Sequence, residues 1–403
     1  MTRDFKIGVV ATIYYPASHA DVIVSRWLEP RPADREWGWD TPQSRIASLY
    51  VAQFPARDVR DLAPDEFERN RYRGDVDLAR FMAEKHGLPL CASVRDALTL
   101  GGDTLAVDGV LLIGEHGDYP FNALRQKLYP RKELFDAIVS VFRETGQAVP
   151  IYCDKHLSWN PDWASKMYRT TQELDIPFFA GSSLPFVGLN PPVPDLAGRK
   201  MEEYVGLFYV GAEAYGFHSL ELMQSLIERR AGGETGIRRV TAYVGEEIEA
   251  AMERGVWSRD LFQTAMNATK FKQAGDWREN CRGSTTYEGT ECPTAFVLEH
   301  ADGFRSAHVL LAGHLDDFTA ALRLQDGTRF AGRSGNGGES SFYGHFAALD
   351  AQIERFFLTG KPPVPPERTL LTTLTVAACM NALQTPGQTI ATPGLLISYG
   401  GEL

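Results

Sequence analysis

The sequence predicts an α/β protein in two parts: an N-terminal doubly wound parallel sheet, then a C-terminal α+β domain with an open, mainly antiparallel sheet. Three observations carry this. The first half alternates short β-branched runs with amphipathic helical stretches. Val107–Gly114 (VDGVLLIG) is nearly all apolar, as a strand buried on both faces of a parallel sheet must be. A stretch with three prolines, 187–200 (VGLNPPVPDLAGRK), precedes a change to short strands punctuated by Asp-Gly turns.

Each element has a local reason. Phe5–Thr12 is the first strand, and Ser18-His-Ala-Asp21 is a capping box that opens a helix closed by Pro30. Arg45–Ala52 is the second strand. Asp75–His86 is helical and stops at Gly87; Leu88–Cys91 follows as a short third strand. Val107–Gly114 is the fourth. Lys132–Thr145 is an amphipathic helix ended by Gly146, and Val149–Cys153 is the fifth strand. Asn160 and Pro161 supply the cap and first residue of the next helix, and Phe178–Ala180 is the sixth strand. Past the prolines, Ala295–His300, Arg305–Leu311, Phe318–Leu324 and Thr328–Ala331 read as strands, with turns at Asp302-Gly303 and Asp326-Gly327. Gly332–Gly338 is a glycine-rich loop. Helices are expected over Ser341–Leu358 and Leu370–Gln384.

Composition excludes several classes of function. Of 403 residues, 41 are Lys or Arg and 52 are Asp or Glu, a net charge of -11, which repels a phosphate backbone and argues against nucleic-acid binding. No apolar run approaches the ~18 residues of a membrane span, and the first residues do not read as a signal peptide. Five cysteines without a C-x-x-C pair favour a reducing, cytoplasmic compartment.

In a doubly wound sheet the fourth and fifth strands are neighbours and ligands gather at the C-terminal strand ends. Glu115-His-Gly-Asp-Tyr119 and Asp154-Lys-His156 therefore open into one crevice. Lys155, beside a carboxylate and an imidazole, can move the proton of a substrate hydroxyl. The same cluster permits another chemistry. Glu115, His116, Asp154 and His156 are oxygen and imidazole donors suited to Mn, Fe, Co or Zn, which would make the protein a metal-dependent lyase or hydrolase. A third possibility is a non-catalytic binding protein.

Three segments carry a family resemblance. They are Val149–Phe186 with Asp154-Lys155-His156 at its turn, Gly216-Phe-His-Ser-Leu-Glu221, and Phe346–Pro393 with its Thr-Gly-Lys-Pro-Pro turn. In order and spacing they resemble the glucose–fructose oxidoreductase / inositol dehydrogenase (Gfo/Idh/MocA) family. The resemblance implies a Rossmann-like domain over 1–186 and a substrate and oligomerisation domain over 187–403. It also implies an NAD(P)-dependent oxidoreductase acting on a hydroxyl of a sugar, cyclitol or glycoside-like molecule, as a homodimer or homotetramer. Lys155 and His218 stand at its catalytic positions. Ala11, Thr12 and Ile13 stand at the nucleotide turn, Gln53 at the ribose position, and Gly114 at the end of the fourth strand. The chain departs from the pattern where Ala11–Pro16 (ATIYYP) replaces the family's G-x-G-x-x-G, where His156 replaces a proline and where Ala214 replaces an aspartate. Side chains in place of glycines predict weak or altered dinucleotide binding.

Overall fold

A computed structural model describes residues 4–63, 74–334 and 343–400. Part of the glycine-rich loop, 335–338, and the first two residues of the helix expected from Ser341 lie outside them. The chain divides into two compact units, one of 1–119, 129–181 and 337–366, the other of 120–128, 182–336 and 367–403.

In the first unit β1 (Phe5–Ile13), β2 (Ser44–Gln53), β3 (Leu90–Cys91), β4 (Gly109–Ile113), β5 (Ile151–Asp154) and β6 (Phe178–Gly181) form one sheet in the order β3-β2-β1-β4-β5-β6. All its pairings are parallel. This is the doubly wound order, with its switch point between β1 and β4. Every residue of β4 and β5 is buried, so their continuous apolar sequences are a consequence of helices on both faces. The helix α1 (His19–Leu28) starts at Ser18, whose hydroxyl caps Asp21 N as the capping box requires. One helix begins later than expected. Val76 and Asp77 pair in parallel with Arg57 and Asp58, and helicity starts at Ala79.

The helix Gly344–Thr359 belongs to the first unit. It packs on the first unit, with Phe356 against Phe179 (ring centroids 5.8 Å) and Phe357 against Phe5 (6.0 Å). Its Glu354 accepts from the amides of Gln43 (2.7 Å) and Ser44 (3.0 Å), capping the start of β2. Five large apolar side chains on one helix, Phe346, Leu349, Ile353, Phe356 and Phe357, are buried by this arrangement. Hydrophobic burial at ~25 cal/mol/Å² makes such a helix a major part of the core it joins.

The second unit holds β7 (Leu189–Asn190), β8 (Met201–Phe208), β9 (Ile237–Val244), β10 (Thr294–His300), β11 (Arg305–Leu310), β12 (Thr319–Leu324), β13 (Arg329–Ser334) and β14 (Thr389–Ala391). Their order is β14-β9-β10-β11-β8-β12-β13-β7, antiparallel except for β8 with β11. The helix Ala214–Ile227 covers one face, where a Cβ on Gly206 of β8 would meet Ser219 at 3.2 Å. On the opposite face Glu203 of β8 accepts from the Ser258 amide (2.8 Å) at the start of the helix Arg259–Asn267. Helices of the chain thus lie on both faces of this sheet. Among the described residues no helix is long and apolar enough to cross a membrane.

Candidate active site

Parallel pairing sets Leu112 opposite Cys153, so β4 and β5 end side by side and release Gly114-Glu115-His116 and Asp154-Lys155-His156 at one end of the sheet. The expected neighbourhood of these two turns is present. Both turns are bent sharply, with His116 (φ 69) and Lys155 (φ 63) in the left-handed region, and the Lys155 amide donates to Gly181 O (3.1 Å). Such conformations cost roughly 1–3 kcal/mol each and persist where surrounding structure enforces them.

Arg131 organises the cluster. It is the first residue of the helix Arg131–Thr145, and its guanidinium donates to the Glu115 carboxylate and to His156 Nε2 (3.2 Å). Lys155 Nζ donates to the other Glu115 oxygen (3.1 Å). All four side chains are buried. Burial alone would raise the Glu115 carboxyl, but Lys155 and Arg131 outweigh it and hold the group well below the usual carboxylate range. Burial, then the neighbouring cations, pushes His156 well below an ordinary imidazole; burial and His19 do the same to His116. The result is a buried carboxylate paired with two cations, beside two neutral imidazoles. Asp154 turns away from this group and binds His19 Nδ1 (2.6 Å), the first residue of α1.

This geometry corrects the metal-site expectation. Glu115, His116, Asp154 and His156 do not converge, because two cationic side chains already occupy Glu115, Arg131 faces His156, and Asp154 belongs to His19. Among the described residues no group of three or more His, Cys, Asp and Glu side chains is placed to hold a metal ion.

The residues matched to the nucleotide positions are employed in building the turns. Ala11 and Ile13 are buried β1 residues. Thr12 donates its hydroxyl to Glu115 O (2.7 Å). Gln53 makes a two-way bond with the Asp118 backbone, accepting from its N–H (2.8 Å) and donating to its carbonyl (3.1 Å). Gly114 is glycine because a Cβ there would run into Arg131 Cγ. The β1–α1 turn is closed on itself. The amides of Tyr15 and Asp21 both donate to Ser18 Oγ (3.2 Å), and the amide of Ala17 donates to the Asp21 carboxylate (2.8 Å). A carboxylate therefore stands where the fingerprint would present free amides to phosphate. These residues do not fit a pyrophosphate drawn against α1.

His218 lies in the first turns of the helix Ala214–Ile227, within the second unit. Its Nδ1 meets Ser182 Oγ at 2.6 Å. The Ser182 amide donates to Glu221 (3.4 Å), one helical turn on, and the Thr372 hydroxyl donates to the other Glu221 oxygen (2.6 Å). Burial pushes the Glu221 carboxyl up to about 7, against the pull of Arg368.

Sequence reasoning missed Arg131, His19 and Ser182. Arg131 carried a signal: two cations, Arg131 and Lys132, open a helix whose dipole disfavours them there. His19 was hidden inside a capping box, and Ser182 carried no local signal beyond its place after a strand.

No family model and no curated protein sequence matches the chain. Solved structures do. GenD2 from gentamicin A biosynthesis, in complex with NAD, is 13% identical, with 97% of each chain covered and a TM-score of 0.58. A probable dehydrogenase from Thermotoga maritima is 12% identical over 96% of this chain and 98% of its own, TM-score 0.57. A myo-inositol dehydrogenase from Corynebacterium glutamicum is 13% identical over 96% and 99%, TM-score 0.53. The likeness runs through both units and is a likeness of fold.

Proposed function

We propose that this chain is an oxidoreductase of the Gfo/Idh/MocA type, acting on a hydroxyl of a sugar, cyclitol or glycoside-like small molecule with NAD(P) as redox partner. The observation that carries the reading is Lys155, a buried ammonium held on Glu115 at the C-terminal end of β5, where doubly wound sheets take their ligands. The NAD complex of GenD2 and the inositol dehydrogenase among the structural neighbours support the redox partner and the substrate class. The β1–α1 turn does not fit the nucleotide's pyrophosphate, so in this reading the nucleotide is held without that turn's amides.

Lys155 is the group proposed to touch the substrate oxygen. A lysine fixed at one end by a carboxylate can give or take the hydroxyl proton without moving. Glu115 positions it, and Arg131 holds Glu115. His218 is proposed as the second proton-handling residue, its ring fixed by Ser182. The test is turnover of myo-inositol, scyllo-inositol and glucose by the purified full chain with NAD and NADP, followed by nicotinamide absorbance. Reduction of nucleotide with any of these polyols supports the reading. Absence of turnover of all three polyols with both nucleotides overturns it.

A further inference from the structure

His19 is buried at the same end of the sheet as Lys155, yet the proposed chemistry does not use it. Its neighbours leave little freedom. Nδ1 lies 2.6 Å from Asp154 Oδ2, and the ring meets His116 edge-on at 5.1 Å and Phe346 at 4.8 Å. An ionised carboxylate can only accept, so Nδ1 is the nitrogen that donates to Asp154 and Nε2 is the one left for a substrate. Among the described residues Nε2 has no hydrogen-bond partner, although the side chain is only 11% exposed.

We propose that His19, aligned by Asp154, is an acid–base residue of this site. The inference rests on the reading of this strand end as the place where a substrate hydroxyl is bound. In the step, the substrate O–H bond breaks and an N–H bond forms at Nε2. The positive charge that develops on the ring faces Asp154, and the return step restores the proton to oxygen. The other titratable groups around the ring are His116 and Glu115 beyond β4, and His345 from the helix Gly344–Thr359. Burial keeps His345 neutral, at about 3, as it does His116, so of these groups Glu115 and Asp154 carry charge, and Asp154 is the one bonded to His19. The position has a second logic. His19 opens the helix whose entry turn is closed by Asp21, so the start of α1 offers a side chain where related folds offer backbone amides.

Two readouts on the full chain decide the matter. Long-range proton–nitrogen NMR of the 15N-labelled protein at neutral pH should show His19 protonated at Nδ1 and bare at Nε2, and Asp154→Asn should shift hydrogen toward Nε2. Diethylpyrocarbonate, mapped by peptide mass spectrometry, should modify His19 in the wild type and several-fold more slowly in Asp154→Asn. Where a polyol of the panel is turned over, His19→Gln should lower kcat by roughly 10²–10⁴-fold, leave KM nearly unchanged and abolish one limb of the pH profile. Hydrogen on Nε2 in the wild type, an inert His19, or a His19→Gln enzyme with an unchanged pH profile overturns the proposal. Failure of every polyol counts against the proposed function instead, and the NMR and labelling outcomes still decide the role of His19.

Discussion

The guanidinium of Arg131 and the carboxylate of Glu115 face each other with side-chain exposures of 0% and 4%. Neither group can exchange its partner for water. The pair joins the start of the helix Arg131–Thr145 to the turn after β4, and through Glu115 it reaches Lys155. Removing Arg131 leaves one buried Glu115 oxygen without its donor and the carboxylate on Lys155 alone. Arg131→Ala is expected to lower stability by about 3–5 kcal/mol, the usual cost of breaking a buried pair. Urea unfolding followed by circular dichroism measures it, and a loss below ~1 kcal/mol would show that water enters the cluster.

Gly114→Ala tests the same packing from the other side. The added Cβ would collide with Arg131 Cγ. Arg131 has to move, at an expected cost of about 1–3 kcal/mol for an overpacked site. A variant as stable as the wild type would mean that the Arg131 stem has a second place to lie.

Lys155→Ala and His218→Ala should each lower kcat by roughly 10²–10⁴-fold in the oxidation of whichever polyol is turned over. Steady-state kinetics at saturating nucleotide are the measurement. Full activity in both variants would put the chemistry elsewhere.

The closed β1–α1 turn makes a binding prediction. Titration calorimetry should give weak affinity for NAD and NADP, with dissociation constants of ~1 mM or more, because the amides there are already bonded and Asp21 repels phosphate. Asp21→Asn should tighten nucleotide binding if repulsion dominates. Micromolar affinity in the wild type would show that the pyrophosphate is held by other groups.

Glu221 predicts a pH effect on stability. Its carboxyl is raised from 4.5 to about 7 in the folded chain, chiefly by burial. The folded state therefore binds the proton more tightly than the unfolded one. That stabilising contribution is complete below ~4.5 and is lost as pH rises through about 7. Glu221→Gln should narrow the stability difference between ~pH 5 and ~pH 8 in urea melts. An unchanged difference would mean that Glu221 stays ionised in the fold.

Much of this architecture was legible because the first sheet writes itself locally. Val110–Ile113 and Ile151–Cys153 are unbroken apolar runs, and Ser18 and Asn160 announce helix starts through their own hydrogen bonds. The position of Lys155 just after a strand was legible in the same way. Strands β8 and β9 escaped notice because Glu202, Glu203 and Gly206 interrupt one, and Arg238 and Arg239 the other. Their identity as strands comes from pairing with partners far along the chain. The same is true of the site. Arg131 meets Glu115 and His156, and His19 meets Asp154 135 positions away, so only the folded sheet brings these groups together.

The helix Gly344–Thr359 has a consequence for how the chain is made. Synthesis runs from the amino terminus, and the six strands of the parallel sheet are all out of the ribosome once Gly181 has emerged. Phe5, Phe179 and the Glu354-capped edge of β2 must then wait for a helix about 160 residues downstream. At a translation rate of ~5–20 residues per second, that interval is on the order of ten to thirty seconds. During it the nascent sheet presents an apolar surface of the kind that chaperones hold. A truncated chain ending near residue 186 would keep that surface permanently and is expected to aggregate, whereas a circular permutant that starts at the helix would close its first unit early.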